Sequence, residues 1–181
     1  TDFKGMKDDE IEKLKLKDAI QMHRDTKIAI ENYVADNNLN PVKPTILVSC
    51  KDTTHAKSIF DYVTSDEFYD REFKEKALQI DSTSKTEEQV EQLLTLEKSH
   101  NYIEIVIHVD MLKEGWDVSN LYTIVPLRAA NALTLIEQTI GRGLRLPFGG
   151  KRTGAEKVDM LSIMMHDKFQ EVVDAKKDKN S

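Results

Sequence analysis

The chain has 181 residues, 32% of them charged and 39% hydrophobic, with a formal net charge of −6 and a single cysteine. That length suits one domain with a full apolar core, and the longest apolar runs, such as 103–109, are far too short to cross a bilayer. The acidic balance excludes a highly basic nucleic-acid coat protein. It leaves open a protein with one local positive groove, because counterion release follows the phosphates neutralised and not the total charge.

The chain opens Thr1-Asp2-Phe3-Lys4-Gly5 with no apolar leader and no initiator methionine, so it reads as beginning inside a longer, cytoplasmic protein. Residues 8–37 have apolar positions near helical spacing (Ile11, Leu14, Ile20, Ile30, Tyr33, Val34) and predict one long helix. This helix is either an arm that joins lobes or a buttress on a sheet. Asn37 to Pro44 is dense in helix stops and makes a connector. A βα alternation follows: strand 45–50, helix 53–63, strand 77–80, helix 86–98, strand 103–109, strand 122–127, helix 132–144, strand 158–165 and a short helix 168–176. Such an alternation predicts an α/β fold with a mostly parallel sheet covered on both faces. Cys50 at a strand end reads as a small core residue, and His23, His55, His100, His108 and His166 lack ligand spacing, so no metal site is expected from them.

The densest chemistry lies in Gln138-Thr139-Ile140-Gly141-Arg142-Gly143-Leu144-Arg145. On a helix, Gln138, Arg142 and Arg145 fall within about 60° of one another, with Ile136, Ile140 and Leu144 opposite them. Two guanidinium forks pointing one way from a docked helix suit the charge that develops on a γ-phosphoryl group during transfer. Gly141 and Gly143 remove side chains beside the arginines and allow close approach. From Gly141 to Lys157 the chain carries Arg142, Arg145, Lys151, Arg152 and Lys157 against Glu156 alone, a local basic island.

This octapeptide resembles motif VI of superfamily-two helicases. Upstream, residues 109–118, with the core Gly115-Trp116-Asp117, are similar to motif V, and residues 45–51 to motif IV. Met111 to Asp117, Pro126 to Ala130 and the Gly-Arg-Gly-Leu-Arg of motif VI look most like the Res subunit of type III restriction endonucleases. The resemblance covers about 44–165. It implies a three-layer RecA-like (P-loop NTPase-like) lobe over 44–176, preceded by a helix and connector (1–43) and followed by a charged tail (177–181). It further implies that Arg142 and Arg145 act as arginine fingers with Gln138 ordering the cleft, and that Gly115, Asp117 and Gly141 lie near the nucleotide. Ser49, Lys51, Val109 and Arg128 would lie near the nucleic-acid backbone. Val109 stands where many such motors have a threonine, so a hydroxyl contact there is lost or made by a main-chain N–H. Trp116, in a slot often aliphatic elsewhere, is either a core anchor or a base-stacking platform.

No Gly-x-x-x-x-Gly-Lys-Ser/Thr loop is present. Gly149 to Gly154 has the wrong spacing and follows a helix, and no Asp-Glu box for magnesium exists. The resemblance assigns ATP and Mg²⁺ to a first lobe of the same protein, so the isolated chain is expected neither to hydrolyse ATP nor to hold it tightly. It also implies double-stranded DNA and a methyltransferase/specificity (Mod) subunit as partners, no membrane, and site-specific endonuclease activity in the parent. Glu72-Phe73-Lys74 matches the end of a nuclease motif, but no Pro-Asp precedes it and its neighbours read as helical and charged. The alternatives are a lobe of a DNA-repair or RNA helicase, and an idle nucleic-acid-binding module. A dinucleotide oxidoreductase is disfavoured, because Ser49-Cys50-Lys51-Asp52 is no glycine-rich turn.

Overall fold

The computed structural model describes residues 8–81, 86–109, 120–127, 155 and 162–163. The helices expected over 132–144 and 168–176, and most of the strand expected over 158–165, lie outside the described residues. Five parallel strands form one sheet: β1 (Thr45–Ser49), β2 (Ala77–Asp81), β3 (Ile105–Val109), β4 (Leu121–Pro126) and β5 (Ser162–Ile163), in the order β2-β3-β1-β4-β5. β3 and β4 are buried at every position and β1 at all but its last, the mark of strands covered on both faces. β2, outermost on its side among the described strands, alternates buried and half-buried positions.

Alternation along the strands sorts the core into two layers. On one face Ile46, Val48, Ile105, Ile107 and Val125 pack with α1 (Asp8–Asn37) through Leu16, Ala19 and Ile20, and with α2 (Thr53–Val63) through Ala56, Ile59 and Val63. On the other, Leu47, Leu78, Ile80, Val106 and Ile124 pack with Leu93 of α3 (Glu87–Leu94) and with Leu96.

The long first helix is a buttress. It buries Ile11, Lys15, Ala19, His23, Thr26 and Ile30 along one stripe at three- and four-residue spacing, as a helix docked on a sheet must. Its flanks are clamped to α2 and the segment after it: Arg24 makes a forked pair with Glu72 (3.1 Å) and stacks on Tyr69 (4.7 Å to the ring centroid), and Lys13 lies over Tyr62 of α2. The Glu72-Phe73-Lys74 stretch, read from sequence as lying among helical neighbours, sits instead in turns around a short 3₁₀ segment at Tyr69–Arg71. Phe68 and Phe73 are buried there, and Tyr69, Asp70 and Arg71 all take positive φ. Edge-on packing of Phe68 against Tyr69 and the Arg71–Asp66 ion pair hold this left-handed run, which carries a steric cost for residues with a Cβ.

Two elements are shorter than their apolar runs predict, for the same physical reason. α3 begins with a capping box, Thr86 and Gln89 bonding reciprocally, but stops at Leu94 rather than 98. Asn101 Nδ2 takes the Gln92 carbonyl (2.8 Å) and the Thr95 hydroxyl (3.2 Å), drawing the chain out of the helix. β3 begins at Ile105 rather than 103, because Ile103 N–H is taken by Asn101 Oδ1 (2.8 Å) and Glu104 N–H by the Lys76 carbonyl (2.8 Å). The start of the sheet is thus stapled by side chains: Asn120 Nδ2 reaches the Lys43 and Leu96 carbonyls and Thr45 Oγ1, and Lys43 Nζ donates to Asn101 O (2.8 Å).

Candidate nucleic-acid and nucleotide interface

The described strands all run the same way, so their carboxyl ends share one edge, the place where open α/β sheets bind ligands. Ser49, Asp81, Val109 and Pro126 stand at that edge. β1 lies between β3 and β4, with Ser49 in register with His108 on one side and Pro126 on the other. Main-chain bonds close this centre: Cys50 N–H donates to His108 O (2.9 Å) and Leu127 N–H to Ser49 O (2.9 Å). The ends of β1, β3 and β4 are therefore neighbours, and Lys51 stands just past the first of them.

The turn from β1 into α2 is tightly specified. Asp52 caps α2, its Oδ1 accepting from His55 N–H (2.7 Å). Lys51 N–H donates to His55 Nδ1 (3.1 Å), and Thr53 Oγ1 donates to Asp81 Oδ2, tying the ends of β1 and β2 together. Two residues of α1 reach the same edge. Glu12 Oε1 contacts His55 Nε2 at 2.8 Å, an electrostatic contact whose angle is poor for a hydrogen bond. Buried Lys15 donates from Nζ to Pro126 O (2.9 Å). Burial pushes the Lys15 ammonium down to about 8, with the Glu12 carboxylate opposing, so at neutral pH it remains mostly a cation.

Of the residues expected to face nucleic acid, Lys51 is exposed at the tip of this turn and Ser49 is half-buried beneath it. Val109 packs its side chain into the core, which leaves only its main chain for a ligand. Arg128, Gly115, Asp117, Trp116, Gln138, Gly141, Arg142 and Arg145 lie outside the described residues. Among the described residues no three His, Cys, Asp or Glu side chains group as a metal site would, and no helix is long and apolar enough to cross a membrane. Glu72 is engaged by Arg24 rather than by a second acid.

Cys50 is buried, and burial, then Glu12 and Asp52, push its thiol up to about 12. Native chain should therefore resist iodoacetamide at pH 8, and unfolding should make Cys50 react at the rate of a free thiol. Alkylation of native protein at the unfolded rate, followed by mass spectrometry, would contradict that burial.

Sequence reasoning missed Glu12, Lys15, Asp52, His55 and Asp81 at this edge. Two signals were present. Asp52 stands directly before a helical pattern, as a cap does. Lys15 interrupts the stripe Ile11, Lys15, Ala19, where a charge needs a buried partner.

The family of helicase conserved C-terminal domains matches residues 26–147. The chain belongs to that family. The match encloses β1 to β4 and the stretches 109–118 and 138–145, and it begins inside α1. The expected RecA-like α/β fold holds, and at this level so does the resemblance to superfamily-two helicases. No curated protein matches the chain. Solved structures similar to it include the C-terminal part of the Fun30 ATPase domain (14% identity, 72% of this chain and 35% of that one, TM-score 0.45). The Pyrococcus furiosus Hef helicase domain is another (17%, 86% and 28%, TM-score 0.45), as is T4 UvsW (18%, 98% and 36%, TM-score 0.46). The chain spans about a third of the length of each. Likenesses this weak add nothing to the family match.

Proposed function

We propose that this chain is the second motor lobe of an ATP-dependent DNA translocase or helicase, from a protein of the type III restriction Res kind. The observation that carries the reading is the family match over 26–147, a span that includes Gln138, Arg142 and Arg145, whose sequence spacing would suit a finger helix. ATP and Mg²⁺ belong to the first lobe of the same protein, where the nucleotide supplies the free energy for lobe closure. The described residues fit that division. Where a phosphate loop would need the open start of α2, the Asp52 carboxylate already caps it, and a second anion is unwelcome there.

From this lobe, Arg142 and Arg145 reach the γ-phosphoryl group across the cleft, Gln138 orders the cleft, and Gly115 and Asp117 lie beside the ribose with Gly141 near the phosphates. Ser49, Lys51, Arg128 and the Val109 main chain meet the DNA backbone at the shared strand edge. Closing and opening of the lobes then steps the protein along double-stranded DNA. A methyltransferase/specificity subunit supplies site recognition, and cleavage belongs to a further part of the parent chain.

The test is ATP hydrolysis by this chain rejoined to its natural upstream lobe, with and without duplex DNA. DNA-stimulated turnover by the pair, and none by the chain alone, is expected. Turnover by the chain alone, or indifference of the pair to every nucleic acid, would sink the reading.

A further inference from the structure

We infer that Glu12 and His55 form a positioning relay that sets Lys51 for the nucleic acid: Glu12 Oε1 contacts His55 Nε2, and His55 Nδ1 accepts the Lys51 main-chain N–H. The inference rests on the motor-lobe reading and deepens it. An imidazole that accepts at Nδ1 carries its proton at Nε2, and the negative charge of the carboxylate 2.8 Å from Nε2 favours that tautomer, although the angle is too poor for a hydrogen bond. Without Glu12 the ring is free to take the other tautomer. Nδ1 would then present a proton to the Lys51 N–H instead of a lone pair, and the turn that carries Lys51 would open.

The relay is built from both sides. His55 is held on α2 because its own N–H is bound by Asp52, one residue past Lys51. Glu12 is held on α1 because Lys15, three residues on and so on the same helix face, is anchored to Pro126 O at 2.9 Å. Pro126 is in register with Ser49, so this half of α1 is tied to the end of β4, beside the end of β1, and through His55 to α2. Glu12 and Lys15 both precede residue 26, where the family match begins. The relay therefore draws on the half of α1 that precedes the matched residues.

The test uses the whole protein that contains this lobe, with three readouts: exchange of the Lys51 amide, affinity for a short fluorescent DNA duplex, and melting temperature. In Glu12→Ala and His55→Leu the Lys51 amide should exchange at least about tenfold faster while the core amides of β1 and β3 keep their protection. Duplex affinity should weaken about fivefold in both, and adding Lys51→Ala to Glu12→Ala should weaken it no further than Lys51→Ala alone. His55→Asn, which keeps an acceptor where Nδ1 stands, should restore most of the affinity; a merely structural role for His55 predicts no such rescue. Unchanged amide exchange, or additive losses with Lys51→Ala, overturns the relay even if the wild type binds DNA. A wild type that binds no nucleic acid overturns the motor-lobe reading and the relay's role together. If His55→Leu does not fold, Glu12→Ala decides alone, since Glu12 lies on the helix surface facing the turn.

Discussion

Arg142→Ala and Arg145→Ala, each made in the two-lobe protein, are expected to lower DNA-stimulated ATP turnover at least about a hundredfold while ATP binding changes little. The reason is where the charge appears. On the proposed reading the first lobe holds the phosphates in the ground state, so the second lobe would add little to affinity. In the transition state negative charge spreads over the γ-phosphoryl oxygens, and a guanidinium aimed there helps only at that moment. A hundredfold loss corresponds to about 2.7 kcal/mol of barrier, modest for a charge acting in a closed, water-poor cleft. Lysine substitutions sharpen the test, because they keep the charge and lose the planar fork. Arg142→Lys should recover only part of the rate. Turnover left intact in both alanine variants would mean that residues 138–145 serve as scaffold, and the idle-module alternative would take the lead.

The strands were legible because each is a short apolar run bounded by turn residues. Ile46-Leu47-Val48 and Ile105-Val106-Ile107 have no polar interruption, which signals burial on both faces, and both lie at the centre of the sheet. The long helix was legible from its stripe, but whether it stood free or docked was not, since Ile20 and Leu16 look the same in either case. Docking is decided by partners far away in sequence, such as Val125 and Ile107. The ends of α3 and β3 were misjudged because Asn101 competes for main-chain groups that the apolar pattern assigns to regular structure. The left-handed run at Tyr69–Arg71 carries no glycine to announce it.

The candidate site divides in the same way. Ser49 and Lys51 could be placed at a strand end from sequence, and they stand there. What sequence could not supply was the strand order. That β1 lies between β3 and β4, so that Ser49, Val109 and Pro126 end side by side at one edge, follows from how the crossovers wind. Nor could it pair Glu12 with His55 or Lys15 with Pro126, because a charge on an apolar stripe says only that a partner exists somewhere.

The same limit hid Glu104, where the largest stability effect among the described residues is expected. It stands immediately before β3 with a side chain only 6% exposed. His23 Nε2 donates to Oε1 (2.8 Å), Lys27 Nζ lies 2.9 Å from the same oxygen, and Lys76 Nζ lies 3.3 Å from Oε2. Burial pushes this carboxyl up, but the His23 and Lys27 hydrogen bonds and the charge of Lys27 outweigh it and hold the group down to about 2. Glu104→Ala should cost about 3 kcal/mol, a melting temperature lower by roughly 10 °C, because buried His23 loses its acceptor. The two lysines are over a third exposed and can turn to water, so they add little to that loss. Glu104→Gln keeps an acceptor for His23 and should cost less, about 1 kcal/mol or a little more.

The pH dependence follows from the sign of the shift. A carboxyl held near 2 in the fold and near 4.5 in the open chain binds its proton more readily when unfolded. Its contribution is therefore complete above about pH 4.5 and is lost as pH falls toward 2, with an upper bound of about 3 kcal/mol. The difference in unfolding free energy between wild type and Glu104→Gln, followed by urea denaturation, should be constant from pH 7 to about 5 and then shrink steadily. A difference that stays constant down to pH 3 would mean that the ionised carboxylate contributes nothing. The cost of the alanine variant would then be that of an unfilled space between α1 and the start of β3.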